Sequence, residues 1–152
     1  MNEEDRGARC ADKSELGAVL ALVRDEFAYM DGIVVPPSSV HRLTEETLSE
    51  GEVWVIGRPL MACAVFTPKG EALYLGKLTV AGQARGQGLA RRLVERAVAR
   101  ARELALAAVE LQVRVELTGN QAAFAAMGFV ETGRTAHPGH DRMTSVTMRR
   151  AV

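Results

Sequence analysis

The sequence predicts an α/β domain, one mixed central sheet of about six to seven strands with helices on both faces. Three observations lead there. Residues 72–80 are an apolar, β-favouring run (Leu73, Tyr74, Leu75, Leu78, Thr79, Val80); Gly82, Gly86 and Gly88 interrupt it, and a helical period follows. Residues 107–117 alternate, with Val109, Leu111, Val113, Val115 and Leu117 on one side and Glu110, Gln112, Arg114 and Glu116 on the other. Near the start, Leu16, Val19, Leu20, Val23 and Phe27 recur at helical spacing.

Residues 7–11 read as a short first strand. Asp12 then serves as N-cap of a helix, with Glu15 reaching back from the third position, and the apolar stripe carries that helix to about Met30. Asp31-Gly32 and Pro36-Pro37 end it, so residues 31–40 form a turn-rich connection. A shorter helix is expected over residues 44–48, stopping near Gly51. Residues 52–56 and 60–67 are strands joined at Gly57-Arg58-Pro59, and Pro68-Lys69-Gly70 turns the chain into strand 72–80, giving a three-strand meander. From Leu89 onward Leu93, Val94, Ala97, Val98, Ala101 and Leu104 share one helix face. Strand, crossover helix and strand in this order predict that 72–80 and 107–117 run parallel with a right-handed connection. Residues 120–127 read as a short helix closed by Gly128, and residues 129–135 and 143–150 as a final antiparallel pair around the loop 136–142.

At 152 residues the chain fits a single domain, 1–152, able to bury roughly 68–70% of its unfolded surface without metal or disulfide staples. Nineteen basic and nineteen acidic residues cancel, so no global field recruits nucleic acid or an anionic membrane, and neither is expected as a partner. The arginines of the long helix (Arg91, Arg92, Arg96, Arg100, Arg102) are interleaved with Glu95 and Glu103 and lack stacking aromatics, which describes a solvated face and not an RNA site. Cys10 and Cys63 make neither a metal-ligand spacing nor a disulfide framework, so no metal is expected. No apolar run approaches twenty residues, and the start, Met1-Asn2-Glu3-Glu4-Asp5-Arg6, is polar, so a membrane span and a signal peptide are not expected and the cytoplasm is the default location.

A glycine-rich turn opening a helix presents unpaired N–H groups and the positive end of the helix dipole, which suits a phosphate. Gly86 and Gly88 permit close backbone approach. The Walker loop needs a Gly-Lys-Ser/Thr end and the dinucleotide fingerprint a glycine where Arg91 stands, so neither fits. The pattern Gln/Arg-x-x-Gly-x-Gly/Ala, met by Arg85, Gly88 and Ala90, resembles the acyl-CoA loop of the GNAT N-acetyltransferase superfamily. Leu78-Thr79-Val80 resembles the end of that family's central strand, residues 52–56 its antiparallel strands, and NQAAFAAMGF from Asn120 its late helix ending in Gly-Phe. The resemblance covers most of the chain, from about Arg9 to Arg149.

The resemblance implies a GNAT-like fold in which strands 72–80 and 107–117 splay apart, with the pantetheine arm of acetyl-CoA in the gap. It implies an enzyme that moves acetyl from acetyl-CoA to a primary amine, small or peptidic, in a ternary complex. A non-catalytic acyl-CoA-binding or regulatory module of the same fold is the alternative, and a homodimer paired through the final strands would be ordinary. The implied cofactor contacts are Leu78, Thr79 and Val80, whose backbone N–H groups would stabilise the oxyanion; Arg85, Gly86, Gln87, Gly88, Leu89 and Ala90 at the pyrophosphate; and Asn120 and Phe124 in the late helix. Arg91 or Arg92 would reach the 3′-phosphate. Many members carry a tyrosine where Phe124 stands; a phenyl ring donates no proton, so the general acid is open, and Phe124 either packs on the pantetheine sulfur or simply fills the core.

An amine with a pKa of about 10.4 has to lose a proton before it attacks. His137 is the first candidate base, because the final loop borders the acceptor side of this fold; a surface histidine without a role is the competing reading. His140, Asp141 and Glu116 are further polar candidates, and Asp31 and His41 offer acceptor contacts from the early loop. Arg114 pairs either with an acceptor carboxylate or with Glu110 or Glu116. The acceptor itself is not named by the sequence.

Overall fold

The computed structural model describes residues 7–152. The polar start used above, residues 1–6, lies outside the described residues. Among those described, seven strands form one sheet: β1 (Arg9–Cys10), β2 (Glu52–Ile56), β3 (Ala62–Lys69), β4 (Ala72–Val80), β5 (Ala108–Arg114), β6 (Val130–Thr135) and β7 (Ser145–Ala151), in the order β1-β2-β3-β4-β5-β7-β6. The helices are α1 (Leu16–Phe27), α2 (Glu45–Leu48), α3 (Leu89–Glu103) and α4 (Thr118–Ala126). All neighbouring strands pair antiparallel except β4 and β5, which are parallel as the crossover order requires.

The differences from the sequence reading are at the ends. The first helix is α only to Phe27 and tightens into a 3-10 turn over Ala28–Met30, and β5 stops at Arg114, three residues before the alternation does. At Leu117 the chain has already turned into α4, so Val115 and Leu117 pack against the core from a connection and not from a strand. Periodicity cannot distinguish the two, since alternation survives one turn past the last ladder bond.

Helices cover both faces. The α3 stripe, Leu89, Leu93, Val94, Ala97, Val98 and Ala101, lies against Ala62, Ala64 and Phe66 of β3 and Leu73 and Leu75 of β4. On the other face Leu16, Val19 and Val23 of α1 meet Val53 and Val55 of β2 and Cys63 of β3. Alternation along β2 and β3 divides their side chains between these two cores. The arginines of α3 are held by the protein itself: Arg100 grips Glu52 through Nε and Nη2, at 2.9 and 2.7 Å, and Arg96 stacks over Trp54 at 4.7 Å while bonding Glu103. That accounts for these two charges without nucleic acid.

The expected capping pair of Asp12 and Glu15 opens a 3-10 turn, Lys13–Glu15, and α1 follows from Leu16 with Glu15 at its N-cap. The Glu15 carboxylate accepts the Asp12 N–H at 2.9 Å and a forked pair of bonds from Arg9 at 2.8 and 2.9 Å. The Arg9 bonds and then the Asp12 N–H pull the Glu15 carboxyl down to about 2. A group whose folded pKa is depressed stabilises the fold above its unfolded pKa, about 4.3, and loses that contribution as pH falls toward its folded value. Glu15→Gln is expected to lower stability by about 1–2 kcal/mol at pH 7, with the difference from the parent shrinking between about pH 4.3 and 2. Urea unfolding of both proteins across that range checks it; a difference independent of pH would rule the carboxylate out.

Candidate functional site

The site follows from where β4 leaves its neighbours. β4 and β5 pair only through Ala72, Leu73 and Tyr74 with Ala108, Val109 and Glu110. Beyond Tyr74 no register joins them. On its other edge β4 pairs Gly76 with Val65 and Thr79 with Cys63, so Lys77 and Leu78 together oppose Ala64. This is a β-bulge, which bends the strand that carries it. Lys77 sits at φ 53°, a left-handed conformation unusual for a lysine. Its carbonyl accepts from Thr79 Oγ1 at 2.8 Å and from Cys63 Sγ at 3.9 Å. Burial pushes the Cys63 thiol up to about 12, so it remains a neutral packing group and not a nucleophile.

At the end of β4 the glycine loop opens α3. Gly86 and Gly88 take φ of 79° and 75°, and a Cβ at either would point into open space. Glycine is therefore there for the backbone conformation and for access, not to relieve a clash. Gly88 is the N-cap of α3, so the first N–H groups of that 15-residue helix face out of the loop.

Two cavities result. The first, about 400 Å³, is bounded by Leu78, Thr79, Val80, Arg85, Gly86, Gly88, Leu89 and Ala90 together with Ala84, Arg91, Glu26, Phe27, Tyr29 and Met127. The strand end and the loop singled out from the sequence thus share one space, with Arg91 but not Arg92 on its wall; Gln87 does not line it. Arg85 is turned to Glu26, Nη2 to Oε1 2.8 Å, so its charge is already matched. The second, about 470 Å³, occupies the gap between the splayed strands, with Gly76, Lys77 and Leu78 on one wall and Leu111, Val113 and Arg114 on the other. Asn120, Phe124 and His137 line this second space. Phe27, Tyr29 and Leu78 border both.

The acceptor candidates divide. His137 is brought to the second cavity; its Nδ1 bonds Thr144 Oγ1, which also accepts the His137 N–H at 2.9 Å and lies 3.4 Å from the Thr135 carbonyl. The Nδ1–Oγ1 bond can run in either direction; where the hydroxyl proton points to the Thr135 carbonyl, Nδ1 carries the ring proton and Nε2 has the lone pair. Burial, then Arg114 and His140, lower the His137 pKa, so the ring is neutral at pH 7. Asp31 and His41, by contrast, bond each other at 2.7 Å and line neither cavity.

Arg114 makes no salt bridge with Glu110 or Glu116, the structural pairing read from the sequence. Its Nη1 and Nη2 donate to the carbonyls of Pro36 and Pro37, at 2.7 and 3.2 Å, and Glu110 and Glu116 turn to Arg149 and Arg142 instead. Alternation placed the guanidinium on the correct face, but its partner is a backbone 78 residues away in sequence.

Phe124 packs edge-on to Phe129, centroids 5.8 Å apart, against the main core. The second cavity is also lined by a residue the sequence reading passed over. Tyr29, in the 3-10 turn after α1, is half exposed, and its hydroxyl accepts from Asn120 Nδ2 at 3.4 Å. Lys77, Arg42 and Ser39 were also missed; all three line the second cavity, where Lys77 Nζ donates to Ser39 Oγ at 3.0 Å. A lysine inside an otherwise apolar strand was the available signal.

A family model described as "Acetyltransferase (GNAT) family" matches residues 22–129. The fold is similar to a ribosomal-protein-alanine N-acetyltransferase from Brucella melitensis, at 20% identity over 95% of this chain and 99% of that one, TM-score 0.73. It is similar to a spermidine N-acetyltransferase chimera from Vibrio cholerae and hSSAT, at 21% identity over 95% and 93%, TM-score 0.69. An acetyltransferase of the GNAT family from Staphylococcus aureus Mu50 gives 12% identity over 95% and 98%, TM-score 0.74. No curated protein matches the chain at significant similarity. At these identities the structural likeness establishes the fold.

Gly88→Ala is expected to cost about 1 kcal/mol, from backbone strain alone, because the added methyl meets nothing. Denaturant unfolding of the variant without ligand measures it; an unchanged midpoint would mean the loop relaxes out of the left-handed conformation.

Proposed function

The chain belongs to the acetyltransferase (GNAT) family, and from that premise we propose that it transfers acetyl from acetyl-CoA to a primary amine by direct attack in a ternary complex. The family uses acyl-CoA and acetylates amine or peptide acceptors. The observation that carries the reading is the pair of cavities meeting at Phe27, Tyr29 and Leu78, with the glycine loop on one side and the splayed strands on the other.

In this reading the pyrophosphate sits on the N–H groups of residues 85–90, where backbone donors and the helix dipole act together. The pantetheine arm runs along Leu78, Thr79 and Val80, and a backbone N–H there holds the thioester oxygen. The amine enters through the second cavity. His137 Nε2 takes a proton from the ammonium group and releases it to solvent, the nitrogen attacks the carbonyl carbon, and as the tetrahedral intermediate collapses the carbon–sulfur bond breaks and the nitrogen gives its second proton to His137. The departing thiolate takes a proton from the Tyr29 hydroxyl, which recovers one from solvent. Asn120 donates to the Tyr29 oxygen, and this leaves the phenolic proton for the thiolate. Tyr29 would thus supply, from the turn after α1, the phenol absent at Phe124.

The non-catalytic alternative is favoured by that absence at Phe124 and predicts tight CoA binding without turnover. Acetyl-CoA at 100 times its Kd is expected to stabilise the protein by about 2.7 kcal/mol, read as a raised thermal midpoint, and Gly88→Val is expected to weaken the shift. No shift at millimolar acetyl-CoA removes both readings.

His137→Gln and Tyr29→Phe are each expected to lower kcat by about 100-fold or more, the usual contribution of a general base or acid. In the parent, kcat/KM is expected to fall with acid below a pKa lower than the ordinary histidine value of about 6.5, because only the neutral ring accepts a proton. A profile whose acid limb survives in His137→Gln assigns the base elsewhere.

A further inference from the structure

We infer that the acceptor is an amine that also carries an anionic group, a carboxylate or a phosphate, and that polyamines are poor acceptors; this deepens the acetyl-transfer reading and rests on it. The walls of the second cavity carry Arg42, Lys77, Arg114 and His137, and no aspartate or glutamate. Every formal charge on the walls is therefore positive, and the histidine is neutral.

No carboxylate pairs directly with these cations, and Glu116, which favours the Arg114 charge from farther off, stands outside the walls. Lys77 Nζ has a neutral partner, the Ser39 hydroxyl at 3.0 Å. The bonds of Arg114 go to carbonyl oxygens, which orient the guanidinium without neutralising it and use two of its five donors. Among the described residues neither Arg42, Lys77 nor Arg114 enters an ion pair. The carboxylates outside the walls have partners of their own: Glu116 Oε2 receives Arg142 at 3.2 Å and the Val35 N–H at 3.3 Å, while its Oε1 is buried without a hydrogen bond, and Asp31 receives His41. Burial, then Arg114 and Arg42, depress the Lys77 pKa, so both arginines oppose its charge.

Like charges gathered in one concavity repel until an anion joins them, and an anion there gains charge-assisted hydrogen bonds from lysine and from the free arms of arginine. A polyamine brings further ammonium groups to the same walls and meets repulsion. The pyrophosphate of acetyl-CoA does not account for these cations, because the glycine loop that suits it lines the other cavity. Fold likeness leaves the acceptor open, since comparable neighbours are named for a protein alanine and for spermidine.

The test uses matched acceptors with the intact chain and acetyl-CoA: amino acids against their amides, phosphate-bearing amines against the corresponding amino alcohols, and spermidine. Each acid is expected to exceed its neutral partner in kcat/KM by about tenfold or more, the usual scale of a charge-assisted bond, with spermidine lowest. Comparing the carboxylate and phosphate arms assigns the anion. Arg42→Gln, at an exposed position, and Lys77→Gln are expected to narrow the gap between each acid and its neutral partner, an effect that a general loss of folding would not give. Neutral amines or spermidine matching the acids would overturn the inference while leaving acetyl transfer standing. Should no amine turn over, the acetyltransferase reading fails, and the same pairs read by thermal shift still decide the charge preference: stabilisation by the acids alone supports it, equal stabilisation overturns it.

Discussion

At Lys77 and Leu78, β4 carries one residue more than β3 can pair, and the geometry of the site depends on that extra residue. A regular strand would stay parallel to β5 along its length. With the bulge, pairing to β5 ends at Tyr74, and the sheet opens between two strands that are both well packed at their other ends. Two buried side chains on the β3 edge, the Cys63 thiol and the Thr79 hydroxyl, turn to the Lys77 carbonyl. The same irregularity carries Lys77 to the wall of the gap. One local distortion thus makes the opening and equips it.

Charge is distributed unequally around this opening. On α3, arginines that face the surface are matched by Glu52 and Glu103, and at the rim of the glycine loop Arg85 is matched by Glu26. In the gap between β4 and β5, Lys77 and Arg114 hydrogen-bond to neutral groups. The net charge of zero conceals this contrast, because composition sums over a surface that the fold divides.

Much of the fold was legible in the sequence because its signals are local and periodic. The α3 stripe, the alternation of β5 and the glycines before Leu89 each depend on residues a few positions apart, and the structure places them as read except that β5 ends at Arg114. The loop and strand end that bound the first cavity are contiguous, so one motif located most of its wall. The second cavity is assembled from the end of α1 and the turn after it, the connection 31–43, three strands, α4 and the loop after β6, and no window of sequence contains it. Hence Tyr29, Arg42 and Lys77 were missed, and Asp31 and His41 were chosen although they satisfy each other outside it. The bulge was invisible for a different reason: a lysine at φ 53° carries none of the glycine or asparagine marks that usually announce a left-handed residue.

Arg114 binds the connection 31–43 through the carbonyls of Pro36 and Pro37. Main-chain oxygens are offered by any residue, so the grip does not depend on which side chains the segment displays. A lineage can therefore exchange the side chains of that segment, and with them the wall of the acceptor cavity, while the segment stays docked on β5. The fastening and the surface it holds are free to change separately, which makes this stretch of the wall replaceable trim on a constant frame.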